Sequence, residues 1–135
     1  RFILDREFAI DIKLVLSNGM VITGQEKFRE YDKWREEHNL AQYSDVTVEF
    51  YNDPILKAPG DWFNLASQFY FVGFASKDET HFDRYIFLDW LQVILETQKG
   101  HIPWEIGQNK HGAKANFKWA SFRSFPPPCI IAQSS

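Results

Sequence analysis

Residues 9–28, Ala9-Ile10-Asp11-Ile12-Lys13-Leu14-Val15-Leu16-Ser17-Asn18-Gly19-Met20-Val21-Ile22-Thr23-Gly24-Gln25-Glu26-Lys27-Phe28, read as two strands folded back on each other. Ile10, Ile12, Leu14 and Leu16 alternate with Asp11, Lys13 and Val15, the period-two pattern of a half-buried strand. The turn decides what faces what. A two-residue Asn18-Gly19 turn sets Asp11 opposite Glu26, whereas a three-residue Ser17-Asn18-Gly19 loop, with Gly19 left-handed in a bulge, sets Leu16 opposite Met20 and Asp11 opposite Gln25. The second register gathers Ile12, Leu14, Leu16, Met20 and Ile22 on one face and Asp11, Thr23, Gln25 and Lys27 on the other. It is preferred because it segregates apolar from polar side chains more cleanly. Glu26 then points towards the apolar side.

Working outward, residues 29–42 are charged and compatible with a surface helix or an ordered loop, with Tyr31, Trp34 and His38 at helical spacing. Residues Asp45 to Tyr51 alternate again and predict a third strand, ended by Asn52-Asp53-Pro54. Asp61 can cap a helix through Trp62, Leu65, Ala66, Phe69 and Val72, with Gly73 as its stop. The run from Phe69 to Phe74 fits a strand as well, and helix is preferred for its first half. Residues Arg84 to Leu88 read as a short buried strand. Asp89 caps a helix from Trp90 to Lys99 that ends at Gly100. A last strand is expected over residues 116–122, before Pro126-Pro127-Pro128.

This order predicts the α/β (α+β) class, with a mixed central β-sheet flanked by helices. Residues 1–135 are expected to form one domain, with a core at about 5–99 and a basic, aromatic C-terminal extension at 100–135.

A chain of 135 residues that is 44% hydrophobic carries enough apolar mass for a single core, and its 13 Phe, 5 Trp and 5 Tyr supply much of it. The lone Cys129 rules out a disulfide framework and a cysteine-rich zinc site, and favours an intracellular, cytoplasmic setting. No run approaches the ~20 apolar residues of a membrane helix, so no membrane partner is expected. Residues 1–5 turn charged too soon for a signal peptide, and the start at Arg1 rather than Met leaves a preceding segment open. The four histidines are scattered, no Ser sits in a Gly-X-Ser-X-Gly context, and no glycine-rich phosphate loop is present. The net charge of −3 is unevenly spread: residues 1–97 carry 10 basic and 17 acidic side chains, residues 98–135 carry 5 and 1. Such a tail could bring phosphates towards an acidic, metal-binding body.

Phosphodiester hydrolysis requires a water made nucleophilic near neutral pH and a clamp for the charge that develops on phosphorus. A Mg²⁺ held by one or two protein acids, other oxygens and water supplies both, and a nearby lysine can orient or deprotonate the water. Asp11, Gln25 and Lys27 would lie within cross-strand reach on one face of the hairpin, and Glu49 on the next strand could add a ligand.

This pattern resembles the restriction-endonuclease-like nuclease superfamily with its PD-(D/E)XK signature, in which an acid on one strand is followed across a hairpin by acid-X-Lys. Here Asp11 is the acid and Gln25-Glu26-Lys27 the second part; Ile10 stands where the signature has Pro, and Gln25 where it has the second acid. The resemblance implies a restriction-endonuclease-like core and metal-dependent cleavage of nucleic acid, DNA favoured. Asp11, Gln25, Glu26 and Lys27 would be the catalytic set, and Asp11, Gln25 and Glu49 the ligands for Mg²⁺ or Mn²⁺. A viral or mobile-element origin and a homodimer would suit such a nuclease, with Trp34, Trp62 or Phe125-Pro126 at the contact.

Two plainer readings stand beside it. The same face could be solvated, with a cross-strand charge pair worth only ~0.2–1 kcal/mol. A nuclease-like module without catalysis could bind a protein partner or nucleic acid. In the tail, Lys110, Lys114 and Lys118 interleave with Phe117 and Trp119, a spacing suited to a phosphate backbone with stacked bases, or to a core-packed strand with solvated lysines.

Overall fold

The computed structural model describes residues 12–31, 33–38, 44–53, 58–59, 67–108 and 116–134, with the side chains of 12, 35, 49–53, 58, 59, 108 and 116 outside the description. In chain order the elements are β1 (Ile12–Val15), β2 (Val21–Arg29), α1 (Lys33–Glu37), β3 (Asp45–Asp53), β4 (Ala58–Pro59), β5 (Phe69–Ala75), β6 (Phe82–Asp89), α2 (Trp90–Gln98), β7 (Glu105–Gln108), β8 (Asn116–Ser121) and β9 (Ile130–Gln133). Short 3₁₀ turns at Phe122–Ser124 and Pro127–Cys129 lead into β9.

Between β1 and β2 the chain adopts the three-residue loop. Leu16 N–H donates to the Met20 carbonyl at 2.8 Å, Gly19 N–H to the Leu16 carbonyl at 2.9 Å, and Asn18 Oδ1 accepts from Met20 N–H. Gly19 sits at φ 83°, a left-handed conformation that costs glycine nothing. The ladder runs Ile12↔Gly24, Lys13↔Thr23, Leu14↔Ile22 and Val15↔Val21, the register expected from the polar and apolar sets.

The fold is α+β and mostly strands. Five strands form one mixed sheet in the order β1-β2-β5-β6-β9, in which β2 and β5 are parallel and the other neighbours antiparallel. A second, antiparallel sheet has the order β4-β3-β8-β7. Thus β3, though an alternating strand as expected, does not extend the first sheet. It opens another.

One face of the five-stranded sheet carries Tyr70, Val72, Ile86 and Leu88, all buried. They pack with Val46, Val48 and Ala120 of the second sheet and with Trp90 and Val93 of α2. Tyr70 ties the layers together, its hydroxyl donating to the Thr47 carbonyl at 3.0 Å. The other face holds Phe28, Phe69, Phe71, Tyr85 and Phe87, with Phe82 against them.

Four expectations are corrected. Phe69 to Ala75 is a strand, not the continuation of a helix: both of its faces are apolar, Tyr70 and Val72 on one and Phe69 and Phe71 on the other, so no alternation marks it. Within residues 29–42 the described helix is only Lys33–Glu37, and Arg29 ends β2 instead. Helices do not flank the main sheet on both faces among the described residues, since much of the core-facing side is covered by the second sheet. The hairpin's apolar face is not core either, for Leu14, Leu16 and Met20 are exposed. α2 behaves as read, with Asp89 accepting from Gln92 N–H and Gly100 following its last turn.

The C-terminal third is built into this architecture. It supplies β7 and β8 to one sheet, β9 to the edge of the other, and Ile102, Phe122, Phe125 and Cys129 to the core. Of the residues named for a dimer contact, Phe125 is 4% exposed, Trp34 is exposed, and Trp62 lies outside the described residues.

Candidate functional site

Strand β2 presents Thr23, Gln25, Lys27 and Arg29 on one face by simple alternation, about 6.5–7 Å between successive members. Its parallel neighbour sets Tyr70 beside Gln25, Val72 beside Lys27 and Phe74 beside Arg29. The polar set therefore lies on the face that turns inward, at the border of the core, and its members are half-buried. Residues that share a face are legible from alternation, but which face meets the core depends on the pairing with β5.

Gln25 is the sharpest local feature. Its Oε1 is buried and has no hydrogen-bond partner among the described residues. A buried amide oxygen left without a donor costs about 1–3 kcal/mol, so the position is held by something other than its own satisfaction. An amide oxygen of this kind suits a hard divalent cation, which takes carboxylate, carbonyl and water oxygens. Among the described residues, no group of three or more His, Cys, Asp or Glu side chains is placed to hold a metal.

Further along the same face, Arg29 Nη2 donates to Thr47 Oγ1, so β3 crosses close to the end of β2. Glu49 is two residues beyond Thr47 on that strand; its side chain lies outside the description. Across the β3–β8 ladder, Val48 pairs with Lys118, which places Lys118 on the core-facing side of the second sheet. Burial pushes its ammonium below the usual lysine range. Glu26 stands apart. It pairs with Phe71 and shares its face with Phe28, because β2 runs from Gly24 to Arg29 without a bulge. Lys27 and Glu26 each have interaction partners.

Gln25, Lys27 and Arg29 thus come together on β2, with Thr47 and Tyr70 beside them, while Glu26 faces the other way. Asp11, Lys110 and Lys114 lie outside the described residues. Arg29 and Thr47 were not singled out from the sequence. The period-two run Gln25, Lys27, Arg29 carried the signal for the first of them, had the strand been continued past Phe28.

Gln68 completes the surroundings. Its N–H donates to the Thr23 carbonyl at 3.0 Å, its side-chain Oε1 accepts from Thr23 N–H at 2.9 Å, and its own carbonyl accepts from Trp90 N–H at 3.0 Å. No family model, curated protein or solved structure matches the chain, so the reading of this face rests on its own residues.

Proposed function

We propose that the chain is a metal-dependent nuclease that hydrolyses phosphodiester bonds, DNA favoured, with a restriction-endonuclease-like site on the β1–β2 hairpin. The observation that carries this reading is the face of β2 on which Gln25 and Lys27 stand one alternation apart beside Tyr70 and Val72, with the buried Gln25 Oε1 lacking a donor among the described residues. The mixed sheet, with β2 antiparallel to β1 and parallel to β5, supplies a rigid platform for them.

Asp11 and the Gln25 oxygen would hold a Mg²⁺ or Mn²⁺, with Glu49 as a further candidate ligand. The bound metal would polarise a phosphoryl oxygen and lower the pKa of a water. Lys27 orients the attacking water, takes part in its deprotonation and offsets charge as it builds on the phosphate. Arg29, braced on Thr47, is placed to position a phosphate through its planar fork. Lys110 and Lys114 would serve the nucleic-acid backbone. Glu26, on the opposite face, contributes only if the strand rearranges.

The test is cleavage of plasmid, linear and single-stranded DNA and of RNA, each with Mg²⁺, Mn²⁺ or EDTA. Cutting that requires the metal supports the reading. A folded chain that cuts nothing in either metal transfers the weight to a binding module. One observation favours that second reading: the hairpin tip exposes Leu14, Val15, Leu16, Met20 and Val21 together, more apolar surface than a solvated turn ordinarily carries.

A further inference from the structure

We infer that Gln68 is a positioning residue for this site, an inference that rests on the nuclease reading of β2. Gln68 lies just before β5 and grips Thr23 at two points: its backbone N–H donates to the Thr23 carbonyl, and its side-chain oxygen accepts the Thr23 N–H. The parallel ladder proper begins one residue later, at Gly24↔Phe69. A parallel pair of strands has slanted bonds and a slightly weaker hold per residue than an antiparallel one. The side-chain bond supplies a further anchor where β2 enters that ladder, two residues before Gln25.

The third bond gives the grip a fixed base. The Gln68 carbonyl accepts from Trp90 N–H, the first residue of α2, and Trp90 is 3% exposed with its ring tilted against Tyr70 at 5.1 Å. Tyr70 in turn stands beside Gln25. Gln68 thereby couples the entry of the catalytic strand to the buried helix start. Its own side chain is exposed, so its removal opens no hole in the core. What it loses is the alignment of Thr23, and with it the placement of Gln25 and Lys27, where a displacement of about 1 Å costs on the order of 10²-fold in rate.

The experiment compares wild type, Gln68→Ala and Gln68→Glu for kcat, KM, melting temperature and amide exchange at Thr23 and Gln25. A glutamate oxygen can still accept the Thr23 amide. The expected result for Gln68→Ala is a fall in kcat on the order of 10- to 100-fold, with KM and melting temperature near wild type and faster exchange at Thr23. Gln68→Glu should restore both kcat and protection. An active wild type with kcat unchanged in Gln68→Ala overturns the inference alone, as does a loss of kcat that merely follows a loss of melting temperature without rescue by Glu. A wild type that cuts nothing overturns the nuclease reading and the catalytic role together.

Discussion

Phe69 lies across Gly24 so closely that a Cβ added to the glycine would collide with the ring carbons Cε2 and Cζ. Phe69 is itself buried and packs edge-on against Phe87 at 4.9 Å. The glycine inside the motif therefore serves the sheet, one residue before Gln25. Gly24→Ala is expected to destabilise the protein by about 1–3 kcal/mol through overpacking. Urea unfolding of the two proteins measures it, and an unchanged midpoint would mean that the ring does not occupy that position.

Acid should weaken the fold through two carboxyls. The hydrogen bond with His101 Nδ1, 2.5 Å from Glu96 Oε2, holds the Glu96 carboxyl below its usual range, with Lys99 helping. Thr80 and then Ser76 bring Asp78 down from 3.8 to about 2. Both folded-state values are depressed, so the stability they contribute is present above the unfolded values and lost as pH falls through the folded ones. For Asp78 that window runs from 3.8 down to about 2. Thermal melts from pH 5 to pH 2 should fall more steeply for wild type than for Glu96→Gln or Asp78→Asn, and parallel curves would remove both groups from the account.

Cys129 should be chemically silent in the native protein. It is fully buried, and burial, with the Glu96 and Asp89 carboxylates nearby, pushes its thiol up to about 11. The thiolate is the reactive form, so almost none exists at pH 8. An aromatic disulfide reagent should react with Cys129 only as fast as the chain unfolds. Prompt stoichiometric labelling at pH 8 would contradict this placement.

What was legible in the sequence were the features decided by near neighbours. Ser17-Asn18-Gly19 announced its loop, Asp89 its helix cap, and the alternation from Asp45 its strand. Distant pairing was not legible. Nothing local to Asp45–Asp53 says that it pairs with Asn116–Ser121 rather than with the first hairpin, and that choice creates the second sheet. The aromatic run from Phe69 satisfies strand and helix alike because neither face is polar. For the same reason the hairpin showed which residues accompany Gln25 and Lys27, but not that Tyr70 and Val72 would join them on the inward side. Gln68 was invisible as a clasp, since its partner Thr23 is 45 residues away.

The direct test is cleavage of supercoiled plasmid and single-stranded DNA by wild type and Lys27→Ala side by side, in Mg²⁺ and in EDTA, with melting curves for both proteins. The account predicts cutting by wild type in Mg²⁺ alone, and none above background by a Lys27→Ala protein that melts at about the wild-type temperature. Equal cutting by a folded Lys27→Ala protein, or cutting by wild type that survives EDTA, would contradict it.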